Sequence, residues 1–575
     1  VRGVVHLWSL DAAVPLGAEP EALLAACRRA SGTALQLAQA LIRAGAKEPP
    51  TLWLVTRGAQ GTGDPGLPAP DPVQATTWGL SHTIAIEHPE LRCTRVDLDP
   101  LESVDVAAAR LAAEIIDDAR EQRTSSARED QIAFRGGRRR VRRVVRATSV
   151  GEPGAAIRFH AERTYLITGG LRGLGPAVAE WMVRHGARHL VLMGRNEPPS
   201  ATREALERMR RSGAHVLVAR GDVSRYGDLE RILAEASRMM PPLAGVIHGA
   251  GVLDDATLLQ QDWARFETVL APKALGAWNL HVLTRGLEVD TFVLFSSGAG
   301  LMGAGGQANH SAANAFLDAL AHHRRALGLP AVSINWGAWA EIGAAADREL
   351  GPGMRRFSVA EGLEALGRVL AAAQPAAEPR IAQVAVLDVD WHQALGVTRD
   401  KDAPPLVAEL LAAEEPPAGP GPARPGRSLL EELEATPPAQ RSALIQRFVR
   451  RTAADVLGLG ADDGIGSHRP LQELGLDSLM AVELRNKLGQ AVGRVLPATL
   501  LFEHPTVAAL AEFLSAEVLA EPAPTPSSVG SEFGQDRLVG GGEAGTGDSA
   551  DLDDLSEDAL AAMLLEKLER LDGHR

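Results

Sequence analysis

The sequence predicts an α/β protein built on a doubly wound parallel sheet and followed by a small all-α helical bundle. Three observations predict it. Short apolar runs alternate with longer helical segments through the middle of the chain, a glycine-rich turn joins the first of these runs to a helix, and a Pro/Ala/Gly-rich stretch then precedes a compact helix-forming segment. At 575 residues the chain exceeds one ordinary core, so about three or four domains are expected.

The alternating runs are Thr164 to Thr168, Leu190 to Met193, Val216 to Ala219, Gly245 to His248, Phe292 to Ser296 and Val332 to Trp336. Strands this short, separated by helices, pair in parallel and are covered on both faces. Upstream, Val4 to Trp8, Leu52 to Thr56 and Thr94 to Leu98 read as strands and Ala22 to Ala44 as helical, with no glycine-rich phosphate loop. This predicts a Rossmann-like structural subdomain over 1–147 and a nucleotide-binding subdomain over 148–400. The chain opens in a strand already under way, as expected of a piece of something longer. From Lys401 to Arg427, Pro404-Pro405, Pro416-Pro417 and Pro420-Gly421-Pro422 predict a flexible linker over 401–428. A helical segment follows over 429–520, a second linker over 521–550, and a last helix over 551–575.

A net charge of −14 argues against nucleic acid as a partner. The basic run from Arg135 to Arg146 reads as a strand pair around Gly136-Gly137 with a solvated edge. Cys27 and Cys93 are too few for a disulfide framework and wrongly spaced for zinc, so no metal is expected and a reducing cytoplasm is. No apolar run is long enough to span a bilayer, and no signal peptide is visible, so no membrane partner is expected.

In Thr168-Gly169-Gly170-Leu171-Arg172-Gly173-Leu174-Gly175, glycines let backbone approach a pyrophosphate whose charge the following helix N-terminus favours. An acidic residue after the second strand would bind the ribose hydroxyls of NAD. Here that strand ends in Gly194-Arg195, and Arg172 lies in the loop itself, so two arginines favour a 2′-phosphate and hence NADPH. The glycine spacing resembles the short-chain dehydrogenase/reductases. In that superfamily the segments matching Gly221-Asp222-Val223 and Gly249-Ala250-Gly251 lie beside adenine and beside ribose and nicotinamide.

Hydride delivery to a ketone needs a proton donor, an oxyanion partner and usually a lysine that stabilises the ionised donor. The chain offers Lys273, Ser297 and Asn314. With the lysine upstream of the serine, and with Phe292-Val293-Leu294-Phe295-Ser296-Ser297 and Gly306-Gln307-Ala308-Asn309, residues 1–400 resemble the ketoreductase domain of polyketide and fatty acid synthases. The residue after Asn309 is normally the catalytic tyrosine of that family; here it is His310. Four residues before Asn314, it shares that residue's helical face. A histidine, with an unperturbed pKa near ~6.5, yields a proton more readily than a phenol, but its reach is shorter and a nearby Lys273 would depress its pKa. The competing readings are a buried, satisfied histidine and a silent reductase that serves only as scaffold. Leu253-Asp254-Asp255 resembles the marker of B-type ketoreductases, which set a D-configured hydroxyl with Asp255 as the stereocontrol residue; alternatively, the aspartates cap the next helix. Trp336-Gly337-Ala338-Trp339 resembles the substrate-side segment or packs the core.

In Leu474-Gly475-Leu476-Asp477-Ser478-Leu479, a turn opens into a helix with Leu479, Val482 and Leu484 as its buried stripe. Ser478 stands at the helix start, where it caps the helix or carries a phosphodiester. With Ser442 to Leu457 and Leu501 to Val507, this segment resembles an acyl carrier protein of the polyketide type, which implies 4′-phosphopantetheine on Ser478. Ser556, Glu557, Asp558, Lys567, Arg570 and Gly573 mark a terminal helix whose apolar stripe, Leu560, Met563, Leu564, Leu568 and Leu571, needs a surface to cover it. It resembles a C-terminal docking segment, or it packs on its own protein. The whole resembles the C-terminal part of a modular type I polyketide synthase. That implies as partners the upstream domains of the same synthase, a phosphopantetheinyl transferase, a downstream subunit reached through the last helix, and a homodimer in the full synthase. The expected reaction is NADPH-dependent reduction of a carrier-bound β-ketoacyl thioester to a β-hydroxyacyl thioester.

Overall fold

The computed structural model describes residues 2–12, 20–46, 48–64, 66–121, 128–147, 157–343, 350–373, 381–395, 404–413, 429–457, 459, 465–476, 478–492, 496–497 and 500–519. They fall in two units whose main bodies are Gly3–Pro416 and Pro417–Leu555.

The first unit contains two sheets. β1 (Gly3–His6), β2 (Thr51–Arg57), β3 (Thr94–Leu98), β4 (Gln131–Arg135) and β5 (Arg138–Val141) lie in sequential order, parallel except for the final hairpin. The basic run is that hairpin. Arg139, Arg140 and Arg143 pair with Glu114, Asp64 and Glu129, while Arg135 turns inward to the buried Asp97.

β6 (Thr164–Thr168), β7 (His189–Gly194), β8 (His215–Arg220), β9 (Leu243–His248), β10 (Thr291–Ser297), β11 (Val332–Trp336) and β12 (Gln383–Val386) form the second sheet. Its order, β12-β11-β10-β9-β6-β7-β8, is parallel throughout. The chain starts in the middle and winds outward both ways, so the order reverses between β6 and β9, where such sheets open a crevice for ligands. Alternate side chains feed separate cores: Leu166, Val246 and Leu294 pack into one, Tyr165, Ile167 and Val293 into the other.

Two helices join the sheets' subdomains. Pro72–Glu87, capped by the Asp71 carboxylate, crosses Ala308–Ala326, and both are buried along most of their length. At the crossing a Cβ on Gly79 would collide with the Ser311 carbonyl oxygen, so only glycine allows the approach. The Glu87 carboxylate, fully buried, accepts the backbone N–H of Leu258 (2.6 Å) and of Gly306 (2.8 Å).

Two details differ from expectation. β12 is an extra edge strand. Within the stretch read as linker, Pro405–Val407 and Ala408–Ala412 are helical. Val407, Leu410 and Leu411 pack with Trp391, and Leu406 accepts the Val144 N–H (2.7 Å), because these residues form an apolar stripe despite their proline-rich surroundings.

In the second unit, Pro438–Val456, Ser478–Val492 and Val507–Leu519 enclose Ile445, Val449, Leu484, Leu488, Leu510 and Leu514. The Ser478–Val492 stripe is Leu484, Leu488 and Val492 with Met480 and Ala481 against it; Val482 is only half-buried, and the Leu479 side chain lies outside what is described. The predicted terminal helix over 551–575 lies outside the described residues.

Replacing Gly79 with Ala should lower stability by about 2 kcal/mol through overpacking against backbone, despite alanine's better helix propensity of about 1 kcal/mol. Urea unfolding followed by tryptophan fluorescence checks this; an unchanged midpoint would mean that the two helices separate freely.

Candidate active site

The loop after β6 is shaped by backbone contact. A Cβ on Gly175 would strike the Gly169 carbonyl oxygen and Gly170 Cα, while Gly170 donates its N–H to the Met193 carbonyl (3.0 Å). Gly169 and Gly173 take φ of +70° and +55°, and Leu174 begins the Leu174–Arg184 helix. This is a cradle open to a pyrophosphate at a helix N-terminus. Arg172 and Arg195 are both exposed, and neither guanidinium has a hydrogen-bond or ion-pair partner among the described residues. Two free guanidiniums beside the cradle fit a 2′-phosphate. Asp222 accepts from the Ser224 N–H and hydroxyl (3.0 and 2.7 Å), whereas the Val223 side chain is buried in the core and its carbonyl accepts from Asn279. The Gly249 N–H bonds to the Thr168 carbonyl (3.0 Å), and the Gly249-Ala250-Gly251 turn runs so close to Lys273 that a Cβ on Gly251 would lie 3.0 Å from the lysine Cε.

Lys273 sits on a π-helical turn, Ala271–Leu275, a distortion common at functional sites. Its Nζ donates to the Phe295 carbonyl (3.0 Å) and to Asn314 Oδ1 (2.8 Å). Asn314 Nδ2 in turn donates to the His310 carbonyl (2.8 Å). Burial lowers the Lys273 pKa to about 8, with Asp318 opposing the shift. His310 stands half-buried in the first turn of Ala308–Ala326, its N–H bonded to Asn309 Oδ1 (2.7 Å). Ser297, the last residue of β10, accepts the Ala299 N–H at its Oγ (3.2 Å), which leaves the hydroxyl proton to donate elsewhere.

The aspartates after β9 do not cap the next helix; Asp262 does, by accepting the Arg265 N–H (2.9 Å). Asp254 pairs with Arg265 and its carbonyl accepts from Asn309 Nδ2 (2.7 Å), while Asp255 accepts from Gln307 Nε2 (3.0 Å). This strap is thus stitched to the residues immediately before His310. Trp336 and Trp339 are core residues, 4.9 Å apart between ring centroids.

Three buried residues carry no motif signal and were not anticipated. His248 Nε2 donates to the Lys273 carbonyl (3.0 Å) and its Nδ1 accepts from the Thr168 hydroxyl (2.7 Å), which ties the glycine loop to the lysine. Burial, and then the Lys273 charge, lower its pKa to about 3, so it is neutral. Glu87 and Asp318 are the others. In the second unit, Ser478 is the first residue of its helix. Among the described residues no cluster of side chains could hold a metal, and no helix is long and apolar enough to cross a membrane.

Fold and polar cluster together define a nicotinamide-dependent carbonyl reductase of the short-chain dehydrogenase/reductase class. Family models match a KR domain over residues 163–341, a phosphopantetheine attachment site over 447–514, and the Rossmann fold domain of the polyketide synthase extender module SpnB over 4–144. Polyketide synthase GfsA of Streptomyces halstedii is 38% identical over 503 residues, 85% of this chain and 6% of that protein. The pikromycin polyketide synthase component PikAIII of Streptomyces venezuelae is 39% identical over 506 residues, 85% of this chain and 31% of that protein. A solved A-type ketoreductase from a modular polyketide synthase is 34% identical with a TM-score of 0.60, covering 71% of this chain and 82% of that one. A C2-type ketoreductase structure is 30% identical, TM-score 0.59, covering 71% and 84%. The chain belongs to the modular polyketide synthases, as a segment with a ketoreductase domain and an acyl carrier domain. Their cofactors are NADPH and 4′-phosphopantetheine.

Replacing Gly175 with Val should abolish NADPH binding, because the side chain would force the Gly169-Gly170 backbone of the loop out of place. Changing Arg172 and Arg195 together to Gln should weaken NADPH about tenfold or more while sparing NADH. Titration of nicotinamide fluorescence checks both; equal loss for the two nucleotides would remove the 2′-phosphate from the account.

Proposed function

We propose that the chain reduces a β-ketoacyl thioester carried on its own Ser478 to the β-hydroxyacyl thioester, with His310 as proton donor. The observation that carries this is the line from Lys273 through Asn314 to the His310 backbone, with bonds of 2.8 Å on either side of the amide. Those bonds involve no atom of the residue-310 side chain, so histidine in place of tyrosine changes the donor and leaves its mount.

The chemistry that NADPH supplies when bound is hydride for the β-carbon. The Ser297 hydroxyl donates to the carbonyl oxygen as charge develops there. An imidazolium at His310 gives its proton to the same oxygen and is left neutral. The Lys273 ammonium, fixed by Phe295 and Asn314, favours the negative charge until it is formed and neutralised. Lys273, Ser297, His310 and Asn314 are thus the proposed catalytic group. Thr168 to Gly175, Arg195, Asp222, the Val223 backbone and Gly249 to Gly251 would hold the nucleotide.

We further infer a B-type outcome, the D-configured alcohol, with Asp255 as stereocontrol residue. What supports it is the strap's attachment through Gln307 to the His310 turn, where it can form one wall of the substrate's approach. Ser478, at a helix start, suits attachment by a phosphopantetheinyl transferase. Upstream domains of the same synthase, a homodimer in the full assembly and a downstream subunit docked through residues 551–575 complete the proposed context. The chain spans between 6% and 31% of the curated relatives cited above, so these partners belong to the longer assembly. Cys27 and Cys93, both buried as free thiols, suit a reducing cytoplasm.

NADPH oxidation with a short β-ketoacyl thioester tests the donor. Wild type should turn over, His310→Phe should lose about a hundredfold or more, and His310→Tyr should retain activity. Equal rates in wild type and the Phe variant would remove His310 as donor. No turnover in wild type with rescue by Tyr would make the native domain a silent scaffold.

For the carrier, intact mass after incubation with a phosphopantetheinyl transferase and coenzyme A should show one phosphopantetheine, absent in Ser478→Ala. A modification that persists in that variant would place the attachment elsewhere.

A further inference from the structure

We propose that Asp318 is a positioning residue for Lys273 and Ser297, and that Arg142 of the N-terminal subdomain is its counter-ion across the seam between the subdomains. This rests on the reductase reading above and adds to it two charges that touch neither substrate nor cofactor.

Asp318 lies one helical turn beyond Asn314 on Ala308–Ala326 and is 5% exposed. It accepts the Ser333 hydroxyl (2.6 Å) on one oxygen and Asn335 Nδ2 (2.8 Å) on the other. The same Nδ2 reaches the Ser297 carbonyl and Ser296 Oγ, each at 3.0 Å, and Ser296 Oγ donates to the Asn314 carbonyl (3.3 Å). The carboxylate therefore anchors, through one amide, the end of β10 that presents Ser297 and the Phe295 carbonyl bound by Lys273. A loose anchor here would move both the oxyanion partner and the lysine's acceptor, and displacements of about 1 Å in such groups carry large rate costs.

Its charge acts on Lys273 as well. Desolvation lowers the lysine's pKa, and Asp318 is the influence that holds it up. The carboxyl is itself pushed up by burial; hydrogen bonds from Ser333, Asn335 and Ser296 pull it back first, and the Arg142 charge adds to them. Arg142 follows β5 and faces Asp318 across a cavity of about 280 Å³ that Gln131, His322 and Gln383 also line. Other titratable groups face this cluster. His322 on the same helix is held at about 4, His248 beneath Lys273 at about 3, and His82 on the crossing helix well below its ordinary value, all first by burial. Arg95, which acts on His82 and Arg142, is already paired with Asp130. With these histidines neutral, Arg142 is the charge by which the N-terminal subdomain acts on Asp318, beside the separate contact that Glu87 makes with the turn before His310.

The chain has five lysines, so side-chain ¹⁵N NMR of lysine-labelled protein can follow Lys273 directly, assigned by its loss in Lys273→Met. In the wild type it should titrate at about 8. Asp318→Asn should lower that midpoint by about one pH unit and lower kcat about tenfold, with the KM for NADPH nearly unchanged. Should the single variant fold poorly, Asp318→Asn with Arg142→Gln leaves neither charge stranded, and a smaller fall in the same direction is expected. An unchanged Lys273 midpoint in both variants overturns the proposal. Absence of turnover in wild type counts against the reductase reading alone, because the lysine titration needs no catalysis.

Discussion

The crossing of Pro72–Glu87 over Ala308–Ala326 at Gly79 is the constraint on which the site depends. Helices separated by ordinary side chains pack with axes roughly 8–10 Å apart, and backbone contact at Gly79 and Ser311 brings these two closer. The second helix bears His310, Asn314 and Asp318 on successive turns, so its placement sets three groups of the proposed site at once. The first helix also reaches the turn before His310 through the Glu87 carboxylate and the Gly306 N–H. Under the proposed function, a subdomain without a nucleotide loop thereby helps to position the reaction.

Burying Glu87 is costly, because a carboxylate loses its hydration, and its retention needs strong compensation. It receives two backbone donors from separate loops of the neighbouring subdomain, charge-assisted bonds that only the docked arrangement provides. Cutting the carboxylate away would strand both amides. The seam is therefore specific as well as tight: glycine permits the approach, and the carboxylate selects one register.

Much of this architecture was legible in the sequence because period and punctuation are local. Six apolar runs of the nucleotide-binding half mark β6 to β11 within a residue or two at each end, and the Gly136-Gly137 pair marks the basic hairpin. Gln383–Val386 was not legible, since a half-buried edge strand of four residues has neither a long apolar run nor a clear alternation. The helical stretch at 405–412 was masked by flanking prolines whose composition outweighs the stripe of Leu406, Val407, Leu410 and Leu411. In the candidate site, Lys273, Ser297, Asn314 and the glycine loop could be put forward from spacing, motif and family resemblance, whereas the buried contacts of Glu87, His248 and Asp318 could not. Glu87 meets Leu258 and Gly306 across 171 and 219 residues, and a contact of that separation leaves no periodic trace.

The carrier has its own core, built from Ile445, Val449, Leu484, Leu488, Leu510 and Leu514, and the helix that Ser478 begins is part of that core. Under the proposed function this independence has a kinetic consequence. A tethered thioester reaches its reductase at an effective concentration set by the connecting chain, of the order of millimolar for short flexible tethers. The reductase then needs little affinity for the acyl chain, and uniform binding of substrate and transition state would add nothing. Its interactions are better spent on holding Ser297, Lys273 and the donor at residue 310 in register. That is what the buried bonds around Asn314, Asn335 and Asp318 do, and it makes the identity of one side chain, His310, the variable on which the chemistry turns.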